Sequence, residues 1–126
     1  MEDSPLKRNT LTKAERLCGK TNISRLLYKG RWINLKNVRC CYSFTQSEEC
    51  NKIVVSVPKK LFKRAVKRNL LKRRIKESYR LQKHNLSVKN GLNILFVYST
   101  IEVLDFDIIF SAIGNLIQII NKEGEK

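Results

Sequence analysis

The sequence is short of the residues that hydrolytic and metal-dependent proteins rely on. It has a single histidine, His84, and only 11 acidic residues scattered over 126 positions. Two-metal hydrolysis needs clustered carboxylates, and acid–base work at neutral pH favours paired histidines, so no catalytic residue is expected in this chain. The nearest acidic pair, Asp105 and Asp107, opens a segment of helical spacing, where acids favour the helix dipole. The four cysteines, Cys18, Cys40, Cys41 and Cys50, include no C-x-x-C pair. That spacing argues against a tetrahedral zinc site, and no protein metal site is expected. Adjacent Cys40 and Cys41 lie on an apparent strand and would point to opposite faces as free thiols. Apolar runs are short as well. The longest uncharged one is Ile94 to Tyr98, against roughly 20 residues for a spanning helix. Residues Met1 to Pro5 lack the charged-then-apolar order of a secretory signal. No membrane partner and a cytoplasmic location are therefore expected.

What the chain has in excess is positive charge, with 26 Lys and Arg giving a formal +15. Apolar residues make up 42%, which suffices for a folded core in one domain. Such a charge calls for a polyanionic partner, most commonly nucleic acid, because neutralised phosphates release condensed counterions.

The coarse organisation runs from a polar arm at about 1–12, expected to be flexible, to a short helix near 22–29. Thr21 or Asn22 offers that helix an N-cap and Gly30 a stop. Trp32 to Thr45 reads as strand and Gln46 to Lys52 as a turn. Ile53 to Val57 reads as a buried strand ended by Pro58, so two or three antiparallel strands fit this region. Leu61 to Leu81 lacks Gly and Pro and reads as a helix, Leu92 to Tyr98 as a strand. After Asp105, a plausible N-cap, Phe106, Ile109, Ile113, Leu116, Ile117 and Ile120 recur at helical spacing, with a flexible tail over 121–126. The expected fold is α+β: a single-domain two-layer sandwich of residues 1–126 in the order helix, strands, helix, strand, helix.

Most of the charge lies in one window. From Lys59 to Lys83, 12 of 25 residues are Lys or Arg and one, Glu77, is acidic. An ordinary solvated face mixes signs, whereas this one repels itself unless a partner's negative charge relieves it. At about 100° per residue, Leu71, Ile75 and Tyr79 form the face toward the sheet. Asn69, Arg73, Lys76 and Arg80 stack on the other side, where Arg can grip phosphate bidentately and Asn can offer both a donor and an acceptor. Arg68 lies nearer the apolar side and could reach the loop after Val57. His84 would help the helix's C-terminal end.

The stretch VSVPKKLFKRAVKRNLLKRRIKESYRLQK, Val55 to Lys83, resembles the signature of the bacterial ribonuclease P protein subunit, a helix of the type R-N-R-x-K-R-x-x-R/K-E-x-[FY]-R. Arg68, Asn69, Lys72, Arg73, Lys76, Glu77, Tyr79 and Arg80 fall on that pattern. The flank N-T-L-T-K-A-E-R-L, Asn9 to Leu17, and Ile23, Leu26 and Leu27 before Gly30 agree with it, so the resemblance covers about 9–120. The chain departs from the pattern in two respects. Leu70 stands where the family's second motif arginine is usual, and Ile23 and Leu27 replace helix aromatics that line a central cleft.

The resemblance implies a left-handed β-α-β crossover carrying the basic helix, against the usual hand. It also implies a ribonuclease P RNA subunit as partner, precursor tRNA as substrate, and Mg2+ held by that RNA and substrate. The protein would be a monomer and a non-catalytic subunit of an endoribonuclease that removes the 5′ leader. The expected RNA-binding residues are Lys59, Lys60, Arg64, Lys67, Arg68, Asn69, Lys72, Arg73, Lys76 and Arg80. For the leader cleft they are Ile23, Leu27, Trp32, Tyr42 and Phe44. Two other classes share part of this profile. A ribosomal or other structural RNA-binding protein has the same size, charge and build, and a DNA-binding protein could use a basic helix in the major groove, although a helix half embedded in a sheet fits a groove poorly.

Overall fold

A computed structural model describes residues 13–17, 19–45 and 48–124. The expected N-terminal arm, Cys18, two residues of the expected turn and the last two of the tail lie outside the described residues. The elements are α1 (Lys20–Lys29), β1 (Arg31–Asn34), β2 (Val38–Phe44), β3 (Lys52–Ser56), α2 (Ala65–Gln82), β4 (Leu92–Tyr98) and α3 (Phe106–Gly124), with short 3-10 turns at Lys13–Glu15 and Lys83–Asn85. This is the expected α+β order.

The four strands lie in the order β1-β2-β4-β3. The hairpin β1–β2 is antiparallel, with Trp32 opposite Cys41 and Asn34 opposite Arg39, and β2 pairs antiparallel with β4. β3 departs from the expectation, because it leaves the hairpin and runs parallel to β4, with Val54 opposite Leu95. A parallel neighbour requires a crossover, and α2 supplies it. As an edge strand β3 is half-buried rather than buried, with Ile53 as its buried residue.

Side-chain alternation in the pleat divides the core. Leu92, Ile94, Phe96 and Tyr98 of β4, with Val38, Cys40 and Tyr42 of β2, join Leu71, Ile75 and Tyr79 of α2 and Ile109, Ile113, Leu116, Ile117 and Ile120 of α3. The opposite sheet face carries a smaller cluster of Leu17, Leu26, Cys41, Leu95 and Val97, with Ile23 and Val54 packed on it. Cys40 and Cys41 thus do point to opposite faces. Burial of Leu71, Ile75 and Tyr79 stabilises α2 by about 2 kcal/mol each. α2 and α3 approach closely at Gly114, where a Cβ would lie 2.6 Å from Gln82 Oε1. The Gln82 amide nitrogen donates to the carbonyls of Ser78 (3.1 Å) and Phe110 (2.9 Å), so the buried amide keeps partners.

Helix boundaries shift from the sequence reading for local reasons. α1 starts at Lys20 behind Gly19, whose φ of 93° suits glycine, and neither Thr21 nor Asn22 caps it. It does end at Gly30, whose N–H donates to the Leu26 carbonyl at 2.6 Å. A Cβ on Gly30 would meet Cys41 Sγ at 2.4 Å, so this close approach requires glycine. α2 begins at Ala65 rather than Leu61, because the chain first turns on Pro58, whose carbonyl accepts from Leu61 N at 3.1 Å. α3 follows Asp105, whose carbonyl accepts from Ile109 N at 3.2 Å, and continues to Gly124, past the expected end. Asn121 is held there, its amide donating to Asn85 O at 2.8 Å and accepting from Ser87 N at 2.8 Å. Phe106, expected in the core stripe, is half-buried on the flank toward α2.

Candidate nucleic-acid interface

The sheet fixes α2 through its buried stripe, with Leu71 and Ile75 at 0% and Tyr79 at 1% exposure. Lys59 and Lys60 stand exposed on the turn before the helix, as do Arg64, Lys67, Asn69, Arg73 and Lys76, whereas Arg68, Lys72 and Arg80 are half-buried. Anchoring one side of the helix therefore forces its cations outward. The first turn of α2 has neither an acid nor a side-chain cap. Its free N–H groups and dipole add to the charge of Arg64 and Lys67 and together favour an anion.

The cations differ in how they are held. The Arg68 guanidinium turns back, donating to the carbonyls of Phe62 (2.8 Å) and Lys63 (2.9 Å), the loop reach expected from its position. Arg80 clasps Glu77, with Nε donating to Oε1 at 2.8 Å and a second bond to Oε2. That pairing, above all the hydrogen bond, holds the Glu77 carboxyl below the usual carboxylate range and raises Arg80. Lys83 meets Glu15 at 2.9 Å. Arg74, not among the expected site residues, donates to the Leu104 carbonyl at 2.6 Å and so fixes the loop ahead of α3. Nothing local distinguishes it within the run Lys72, Arg73, Arg74. Arg73 and Lys76 make no side-chain bond among the described residues and remain directed to solvent. Beside them a hollow of about 510 Å3 opens between α2 and Phe106 of α3, with Leu70 in its wall.

The five expected cleft residues are not brought together. Ile23 packs on the α1-side cluster, and Leu27 and Trp32 are 44% and 39% exposed. Trp32 lies opposite Cys41 and so faces the α1 side, with the Arg39 guanidinium 5.0 Å from its ring centroid. Tyr42 has the opposite parity: it lies in the main core at 2% exposure, and burial raises its phenol pKa. What it presents outward is an edge of a hollow of about 390 Å3 shared with Phe44, Lys29, Arg31 and Glu123. Phe44, edge-on to Tyr42 at 5.6 Å, sits at the strand end and borders a hollow of about 400 Å3 with Asn22, Arg25, Lys29 and Asn93. The sequence reading missed Arg25 and Lys29, although their i, i+4 spacing placed two cations on one side of α1. Asp105 and Asp107 are exposed beside the start of α3, and no three His, Cys, Asp or Glu side chains converge among the described residues.

A helix that is cationic on its outward side apart from Glu77, clamped to a four-stranded sheet with a second apolar and cationic face behind it, defines a polyanion-binding domain. The family model named Ribonuclease P matches residues 11–121, and the chain belongs to that family. A ribonuclease P protein component from Porphyromonas gingivalis (strain ATCC 33277) is 37% identical over 93 residues, covering 72% of this chain and 66% of the relative. One from Clostridium kluyveri is 37% identical over 73 residues, covering 58% and 64%. The chain thus spans slightly under two thirds of the length of these curated relatives. The fold matches the Staphylococcus aureus RNase P protein with a TM-score of 0.74 at 21% identity, over 86% of this chain and 96% of that one. The Thermotoga maritima RNase P protein matches with 0.71 at 19%, over 82% and 94%.

Proposed function

We propose that this chain is the protein component of a bacterial ribonuclease P, binding a catalytic RNA subunit and the 5′ leader of precursor tRNA to assist removal of that leader. The observation that carries the reading is the outward face of α2, cationic apart from Glu77, on a chain of the ribonuclease P family. Lys59, Lys60, Arg64, Lys67, Asn69, Lys72, Arg73 and Lys76 grip phosphates of the RNA subunit. Arg68 keeps the loop before α2 in shape and Arg80 acts from its pairing with Glu77. The leader lies on the α1 side of the sheet, where Ile23, Leu27 and Trp32 offer apolar and stacking area and Arg25, Lys29 and Arg39 offer charge. Tyr42 drops out of this cleft.

The chemistry belongs to the RNA in this reading. We assign Mg2+ to the RNA subunit and substrate, as the family resemblance implies. The protein's part is electrostatic, since packing precursor tRNA on a large RNA crowds phosphates that a +15 chain can screen. No helix among the described residues is long and apolar enough to cross a membrane. We assign the protein to the cytoplasm, as a monomer before it joins RNA.

Affinities of precursor and mature tRNA for the RNA subunit, each measured with and without protein, test the leader assignment. Precursor should gain over mature tRNA only when the protein is present. An equal ratio in both conditions would leave the protein without a leader contact.

A further inference from the structure

The hollow between α2 and the start of α3 has a composition that phosphate binding does not explain. Leu70 and Phe106 supply apolar wall, and Arg73, Arg74, Lys76 and Arg80 surround it together with the Glu77 carboxylate, which is paired with Arg80. Its volume of about 510 Å3 lies within the roughly 300–1,000 Å3 of small-molecule sites. Phosphate needs donors and gains nothing from leucine and phenylalanine. A nucleobase gains from both, being a flat π-surface with a charged phosphate on either side.

The four cations also divide into two kinds. Arg74 is tied to the Leu104 carbonyl and Arg80 to Glu77, so these two guanidinium groups are held in place. A held guanidinium plane is a surface on which a base can stack. Arg73 and Lys76 have no such ties among the described residues and are left to reach flanking phosphates. Phe106 is steadied by Phe110, whose ring centroid lies 5.7 Å away. Leu70 matters most, because an arginine at this position would bring charge where the chain has an apolar wall.

From this arrangement we infer that the hollow receives one unstacked nucleobase of a single-stranded or bulged RNA segment, with the adjoining phosphates on Arg73 and Lys76. The inference rests on the RNA-binding reading above and adds an occupant that the charged face alone does not specify.

The test uses two probes: a short ribose-phosphate oligomer without bases, and the same oligomer carrying one central 2-aminopurine. The wild-type chain should bind the base-bearing oligomer on the order of tenfold more tightly, the scale of one base–aromatic stack. Leu70→Arg should bring that ratio close to one while holding or tightening the bare oligomer, because it adds charge and removes apolar wall. Phe106→Ala should also bring it close to one. Thermal unfolding of each variant establishes that it is folded, and half-buried Leu70 provides a variant that does not depend on removing Phe106.

A wild-type ratio of one, or a ratio that survives both Leu70→Arg and Phe106→Ala, overturns the assignment. So does stronger competition at the hollow by an acidic peptide with one aromatic residue than by the base-bearing oligomer, which would indicate a protein partner. Structured RNA that binds while the ratio is one removes the pocket alone, whereas failure of structured RNA to bind removes the RNA-binding reading as well.

Discussion

Replacing Arg68 with alanine should damage the fold more than the interface, although this arginine lies in the middle of the basic motif. Its guanidinium donates to Phe62 O at 2.8 Å and Lys63 O at 2.9 Å, the first bond part-buried and the second exposed. A sheltered hydrogen bond from a charged group contributes about 1.5 kcal/mol and an exposed one about 0.5, so the loss comes to ~2 kcal/mol. At about 4 °C per kcal/mol for a domain of this size, the melting temperature should fall by about 8 °C. Arg73→Ala is the matched control, since Arg73 is exposed and without a partner among the described residues. It should melt with the wild type and weaken RNA binding by about 1 kcal/mol, roughly fivefold. Circular dichroism melts and RNA titrations at one salt concentration, run on both variants, separate the two roles. If Arg68→Ala melts like wild type and loses RNA affinity as Arg73→Ala does, the structural role assigned to Arg68 is wrong.

Leu71→Ala and Ile75→Ala, at fully buried positions, should each cost roughly 2–5 kcal/mol in denaturant unfolding, and a smaller cost than that of Arg73→Ala would reverse the facing of α2. RNA affinity should fall with salt at a slope reflecting on the order of five or more phosphate contacts, whereas a slope equivalent to one or two would remove α2 as the main surface. The Cys40 thiol, fully buried beside Cys41, is pushed up to about 12 from 9.0, chiefly by desolvation. The unfolded chain loses this proton above pH 9 while the folded chain keeps it. Stability should therefore be intact below pH 9 and decline toward pH 12, and Cys40→Ala, which lacks this thiol, should decline less steeply over that range. Identical alkaline slopes in the two proteins would contradict the assignment.

The sequence exposed local periodicity well and long-range placement poorly. The buried face of α2 was readable because Leu71, Ile75 and Tyr79 recur at helical spacing among cations, and the α3 stripe from Ile109 to Ile120 for the same reason. The partner of β3 was not, because a parallel pairing across α2 depends on contacts distant in the chain. Tyr42 shows a subtler limit. Its parity with Cys40 could be counted, but both sheet faces are apolar, and only the packing of α2 and α3 shows which one is the closed core. The interface cations formed a single class in the sequence. Their separation into held and free groups depends on acceptors such as Leu104 O, 30 residues from Arg74, and on Glu77, whose i, i+3 spacing to Arg80 was visible.

Reconstitution addresses the central claim most directly. The protein is combined with the ribonuclease P RNA of the same cell, and 5′ cleavage of a precursor tRNA is followed across a magnesium titration. The protein alone should cleave nothing at any magnesium concentration. Added to the RNA, it should lower the magnesium required, with an advantage that shrinks as magnesium rises, because added cations take over the screening that the protein's charge provides. Cleavage by the protein alone, or a magnesium requirement that the protein leaves unchanged, would contradict the account.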